Sequence, residues 1–446
     1  MLKAVKPLTT RRKLRGIIDK RHEPTWVAAM AGLLLLLIAA SAYRIHTEYA
    51  PPPVDNQFNW VNRGHSDFHN GSYFPAQCYM QGGCPYSSDD ASQYLMTRAA
   101  ATYSPIVFVL HVPFAMLPLE LADIAFFACN VAMLMLIAYF SIRMSGATFR
   151  WFDFLAMTNL ILMSRPGHMT LFTGYFTAEI VIGCVLALHF AHSRPVLSGF
   201  GMVLASIKPN FVIPLILMML LRRNYKAVVL GIAFSAVTAT GGLGWLTYHN
   251  GVEQVIQDIR SGQAELHVDE TELPVNTWTR TDLLGMYAKI VNSVPGDAMY
   301  LLSMFILAAI IGPFIFRYAP HEPNKGATGL TAMITVLAIL VGIYHHSYDC
   351  LLLAVPVIGV LFFGQTTLKE VPALWRNIAA VLCLIPAVNY VSTISVMNLL
   401  NLDKLSFSWQ AVTLVNGVCM TIALVILVAV ACYRTPSNSA DSLTTG

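Results

Sequence analysis

An all-α polytopic membrane protein is the architecture that this chain of 446 residues predicts, and three observations carry the expectation. Hydrophobic residues make up 56% of the chain and charged residues 12%, with a mean hydropathy of +0.59, far too apolar for a water-soluble globule. Apolar runs of about 18–22 residues, the length a helix needs to cross the hydrocarbon core, recur along its length. The polar stretches between them alternate between basic and acidic, as loops on opposite faces of a bilayer do.

Taken in order, residues 1–25 form a basic cytoplasmic N-terminus carrying Lys3, Lys6, Arg11, Arg12, Lys13, Arg15, Lys20 and Arg21. They precede the first run, Trp26 to Tyr43. Its unbroken apolar length, with Leu33–Leu37 inside it, exceeds the core of a signal peptide and reads as an uncleaved helix. Basic flanks stay inside, so the N-terminus is expected in the cytoplasm. The membrane domain then extends over 26–434. Within it, residues 44–103 form a first external loop and residues 249–282 an acidic one, where Glu253, Asp258, Glu265, Asp269, Glu270, Glu272 and Asp282 face only Arg260 and Arg280. Basic turns near Arg143 and Arg150, Arg222–Lys226, Arg317 and Lys369 mark the cytoplasmic side. This alternation gives about 10–12 transmembrane helices. Val196–Ser206 and Phe211–Leu221 hold about eleven residues each and are too short to span at about 1.5 Å per residue. They read as half-helices or a re-entrant hairpin lining a cavity around Lys208-Pro209-Asn210. The Ser- and Thr-rich tail, 435–446, is expected to be disordered.

Ionisable residues at a membrane face are costly and are candidates for function. Asp67, in Arg63-Gly64-His65-Ser66-Asp67-Phe68-His69, can serve as a general base or as an ordinary loop aspartate or helix cap. His69 and Arg98 are its neighbours of interest, and Asp55, Asp89 and Asp90 are alternatives in the same loop. Lys208 can neutralise a phosphate or simply snorkel to the interface. Arg280 can bind phosphate through its planar fork or pair with Asp282. His345 and His346, with Asp349, suit hydrogen bonding to a phosphate or a sugar. Adjacent histidines cannot easily share one ion, so no metal ligand is assigned. Arg165 and His168 can join the same face. Cys78 and Cys84 can close a small disulfide loop on an oxidising side, the other six cysteines falling in apolar runs. No phosphate-binding glycine loop, cytoplasmic catalytic domain or basic nucleic-acid surface is present in the sequence.

In this order the pieces resemble the integral-membrane glycosyltransferases of family 87, the polyprenol-phosphate-mannose-dependent mannosyltransferases with the GT-C architecture. The matching signposts are Asp67-Phe68 with Tyr73-Phe74, Tyr103-Ser104-Pro105, Val112-Pro113 to Pro118, Ser206-Ile207-Lys208-Pro209, Asn276-Thr277-Trp278, and His345-His346-Ser347-Tyr348-Asp349. The chain departs from the pattern at Gly174-Tyr175, where the family often has Gly-Gln.

The resemblance implies a GT-C-type helix bundle that needs no cofactor. It implies a polyprenyl phosphate sugar as donor, mannose being the expected hexose, and a glycolipid or glycan acceptor. Asp67 would act as base, with Lys208, Arg280, His345 and His346 at the donor phosphate. The site would face outward from a bacterial inner membrane. The competing expectation from the broken helices and buried cations is a transporter or flippase of a lipid-linked or anionic solute, which leaves the large loop 44–103 unexplained.

Overall fold

A computed structural model describes residues 24–49, 63–97, 99–100, 103–268, 273–321, 326–363, 368, 371–404 and 406–433. Arg98, Asp55, most of the basic N-terminus and the C-terminal tail lie outside the described residues. Among those described, the chain is helical, with only isolated β-bridges.

It begins with α1 (Pro24–Thr47) and continues, past undescribed residues, with α2 (Ser66–Phe68), a π-helical turn His69–Tyr73, α3 (Phe74–Met80) and α4 (Ser88–Gln93). Then come α5 (Pro105–Ala115), α6 (Leu119–Met144), α7 (Trp151–Met163), α8 (Arg165–Thr173), α9 (Thr177–Phe190) and α10 (Pro195–Ala205). The middle of the chain holds α11 (Pro209–Leu221), α12 (Tyr225–Asn250), α13 (Val252–Val268), α14 (Leu283–Val291) and α15 (Asp297–Tyr318). The last part holds α16 (Leu330–Gly342), a 3-10 segment Ser347–Leu353, α17 (Ala354–Phe363), α18 (Ala373–Val388), α19 (Ile394–Leu399) and α20 (Phe407–Tyr433).

Among the described residues, six helices are long and apolar enough to cross a membrane: α1, α6, α12, α15, α18 with its following turn, and α20. Seven shorter apolar helices stand among them. The expected ten to twelve spans therefore resolve into full-length helices mixed with short ones. Proline explains several of the interruptions. It occupies the first turn of α5, α8, α10 and α11, where its missing N–H costs nothing and a helix readily starts anew. The anticipated half-helices are α10 and α11, parted at Lys208.

With lipid outside, close helix contact depends on small residues. A methyl group on Gly183 of α9 would lie 2.6 Å from the Gly201 carbonyl of α10, and one on Gly201 equally close to the Gly183 carbonyl. The two backbones therefore touch directly. The polar segments gather at opposite ends of the bundle. At one end Trp245 donates to the Tyr79 carbonyl at 2.7 Å, Asn250 to that of Gly82 at 3.0 Å, and the Thr281 amide to that of His345 at 2.9 Å. At the other, Thr328 donates to Met144 at 2.9 Å, Arg222 to Gly326 at 3.1 Å and Tyr318 to Ala431 at 2.9 Å. Residues 252–268 of the acidic stretch form the largely exposed helix α13, and Ser88 binds its Glu265 at 2.9 Å, while Asp269, Glu270 and Glu272 lie outside the described residues.

Candidate active site

Asp67 sits in the single turn of α2, half-buried between the buried Ser66 and Phe68. Each neighbour anchors it. Phe68 stacks on Phe126 of α6 at 4.1 Å between ring centroids. The His65 amide donates to the Phe172 carbonyl at 2.8 Å. Asn70 donates to the Ser66 carbonyl at 2.9 Å and accepts from the Thr97 amide at 2.9 Å. Gly174 closes α8 in the left-handed region (φ 71°), where a methyl group would come within 2.6 Å of Phe68 Cβ. That contact is why the chain needs glycine here.

The cationic candidates converge from three distant segments. Gly71, one turn beyond Asp67, lies against Tyr103 and Phe176, and Phe176 stacks on Tyr175 at 4.2 Å. Lys208, buried at the break between α10 and α11, holds its ammonium 4.7 Å from the Tyr175 ring centre and 5.2 Å from that of Tyr348. It pairs with the Asp349 carboxylate at 3.6 Å. Asp349 also meets His345 Nδ1 at 3.2 Å and accepts from the His346 amide at 2.9 Å. His345 packs edge-on against Phe211. His346 instead bonds the hydroxyls of Thr279 and Tyr344, each at 2.6 Å, and stacks on Tyr348. Asp67 is near enough to Tyr348 to act on it electrostatically.

Arg280 joins through a backbone bridge to His346. Its guanidinium is buried and held by Asp282 through two hydrogen bonds, at 2.6 and 2.7 Å, beneath the Tyr344 ring at 4.3 Å. Burial alone would raise the Asp282 carboxyl; Arg280 outweighs it, aided by the Gly285 and His345 amides, and holds the group at about 2. Asp282 also caps α14 through the Gly285 amide. Of the two readings of Arg280, the structure contains the pairing with Asp282.

Arg165 and His168 belong to a different contact. Arg165 is buried and donates to Ser392 and to the Asn389 carbonyl, while His168 meets Arg44 of α1 at 2.6 Å. Both tie α8 to its neighbours. Cys78 and Cys84 are buried free thiols rather than a disulfide; burial pushes both up, Cys84 to about 12.

Three buried polar features escaped the sequence reading. His69, named above beside the candidate base, joins His65 at Asp123 of α6, the two rings lying 2.8 and 2.7 Å from the same oxygen. The separation of His65 from His69 by four residues was the available signal; a lone aspartate in an apolar helix carried none. His111 of α5 meets Glu179 of α9 at 3.3 Å. Lys289 of α14 is buried beside Trp409, its ammonium without a hydrogen-bond partner. Burial, then the charge of Arg280, pushes it down to about 7.

The family model described as glycosyltransferase family 87 matches residues 101–342, a little over half of the chain. The chain belongs to glycosyltransferase family 87. It is thus a membrane-embedded glycosyltransferase, acting between a sugar donor and an acceptor. Lys208, Arg280 and Gly174 lie within the family 87 match, whereas Asp67 and the His345–Asp349 segment flank it. Comparisons with curated proteins and with solved structures return no match.

Proposed function

We propose that this family 87 enzyme moves a hexose, mannose, from a polyprenyl phosphate donor to a lipid or glycan acceptor, with inversion, at the extracytoplasmic face. The observation that supports it best is one cluster, at one end of the bundle. A half-exposed carboxylate (Asp67) stands within electrostatic range of Tyr348, beside which lies the ammonium of Lys208.

Asp67 takes the proton of the acceptor hydroxyl as its oxygen attacks the anomeric carbon. The bond from that carbon to the phosphate oxygen breaks, and its electron pair leaves with polyprenyl phosphate. Phosphate is a good leaving group, so one base suffices without an acid partner. Lys208, with His345 and His346 around it, offsets the charge that grows on the leaving oxygen. Arg280 adds its positive field from beneath the Tyr344 ring, attenuated by Asp282.

Purified protein reconstituted in lipid, given polyprenyl phosphate mannose, tests this. Asp67→Asn should bind donor as before and lose about a hundred- to ten-thousandfold in transfer rate, the usual range for a general base. Equal transfer by both proteins would move the base to Asp89 or Asp90. Movement of the lipid without any transfer would overturn the reading in favour of a flippase.

A further inference from the structure

We propose that His65, His69 and Asp123 bind a transition-metal dication of the zinc class, which pins the segment carrying Asp67 to the first turns of α6. The separation of four residues puts both imidazoles on one side of a helical turn, the arrangement by which a short helix supplies two nitrogens to one ion. Asp123 completes the set from a helix more than fifty residues away in sequence. His65 Nδ1 and His69 Nε2 aim at the same atom, Asp123 Oδ1, at 2.7 and 2.8 Å. One ligand atom from each of the three residues lies within 4.8 Å of the others.

The donor set selects the ion. Two imidazoles and one carboxylate suit zinc and its neighbours, whereas magnesium and calcium favour all-oxygen shells. Tetrahedral zinc, with bonds of about 2.0–2.1 Å, places its ligand atoms about 3.3 Å apart. The two nitrogens would therefore withdraw from Oδ1 by about half an ångström, a movement within the reach of small χ rotations. Tyr49 already holds the other carboxylate oxygen, donating to Oδ2 at 2.7 Å. It is the outer-shell partner that aims a ligating carboxylate. Glu120, exposed one turn earlier on α6, adds negative charge at the end of the bundle from which an ion would arrive.

The consequence for catalysis, Asp67 fixed midway between two ligands, rests on the function proposed above; the metal site does not. Full-length protein in detergent, stripped with a chelator, is titrated with Zn2+ alone against a chromogenic competitor. X-ray absorption then reads the bound ion's shell. One zinc per chain with submicromolar affinity and imidazole scattering is expected. His69→Gln and Asp123→Asn should weaken binding by at least about tenfold, while Asp67→Asn binds as the wild type does. Should either ligand variant fail to fold, the wild-type stoichiometry and absorption spectrum decide. A wild-type chain that takes up no zinc, or ligand variants that bind it equally well, would overturn the proposal in favour of a purely hydrogen-bonded trio. Zinc binding without sugar transfer would sink the functional reading alone, and transfer by a chain that takes up no zinc would sink the metal site alone.

Discussion

Asp282→Asn should destabilise the protein by about 3–5 kcal/mol, the range for breaking a buried ion pair by removing one partner. The geometry makes this substitution a clean test of the charge. Asn caps helices about as well as Asp, so the bond to the Gly285 amide survives in kind while the ionic partner of Arg280 is lost. Both side chains are almost wholly buried, which leaves solvent little chance to screen the pair. Linkage gives an independent figure. A carboxyl held at about 2 rather than its ordinary 3.8 contributes about 2.5 kcal/mol. Because the folded value is the lower one, that contribution is complete above the ordinary carboxylate range and is lost as pH falls towards 2. Stranding the guanidinium accounts for the remainder. Denaturant unfolding in mixed micelles would compare wild type, Asp282→Asn, Arg280→Met and the double variant. Each single change should cost more than about 2 kcal/mol, and the double variant should recover a substantial part of their summed loss. Single variants within about 0.5 kcal/mol of wild type, the range of an ordinary surface change, would refute the reasoning. Strict additivity in the double variant would refute it as well.

Lys289→Met should remove an alkaline rise in stability. With the folded value depressed to about 7, the unfolded chain binds more protons than the folded one from there up to the ordinary lysine value. Stability therefore climbs with pH across that window, by an amount on the order of 5 kcal/mol. Unfolding measured between neutral pH and pH 10 should show a flatter profile for the Met variant; parallel profiles would exclude a depressed lysine. Gly174→Ala must adopt a left-handed backbone, at about 1–2 kcal/mol, and must push Phe68 away. Sugar transfer should fall further than thermal stability does, because Phe68 adjoins Asp67, and an unchanged kcat would separate that contact from catalysis.

What the sequence made legible follows from local chemistry. The long apolar runs, the proline-started half-helices around Lys208, the gathering of polar segments between the apolar ones and the Arg280–Asp282 option all follow from spans of a few residues or from hydropathy. Contacts that join distant segments were not legible in the same way. Asp123 is a single carboxylate in an apolar helix, and nothing nearby says that two histidines from the preceding loop converge on it. Lys289 sits on a short amphipathic helix, where a solvated lysine would look the same in sequence; in the fold it is buried, with Trp409 of the distant α20 beside it. Cys78 and Cys84 illustrate the converse, since their spacing permits a bond that this packing leaves unmade.

The bridge between Arg280 and His346 has a consequence for how this protein can change length. The Thr281 amide donates to His345, and the Ser347 amide to Thr279, so these two segments pair as a very short antiparallel ribbon. In a ribbon, successive side chains turn to opposite sides. His345 accordingly faces Phe211 and Asp349, whereas His346 faces Thr279 and Tyr344. Gaining or losing a residue in the long intervening stretch, away from the ribbon, leaves that division intact. A one-residue insertion or deletion inside either ribbon segment exchanges the surroundings of the two histidines at a stroke.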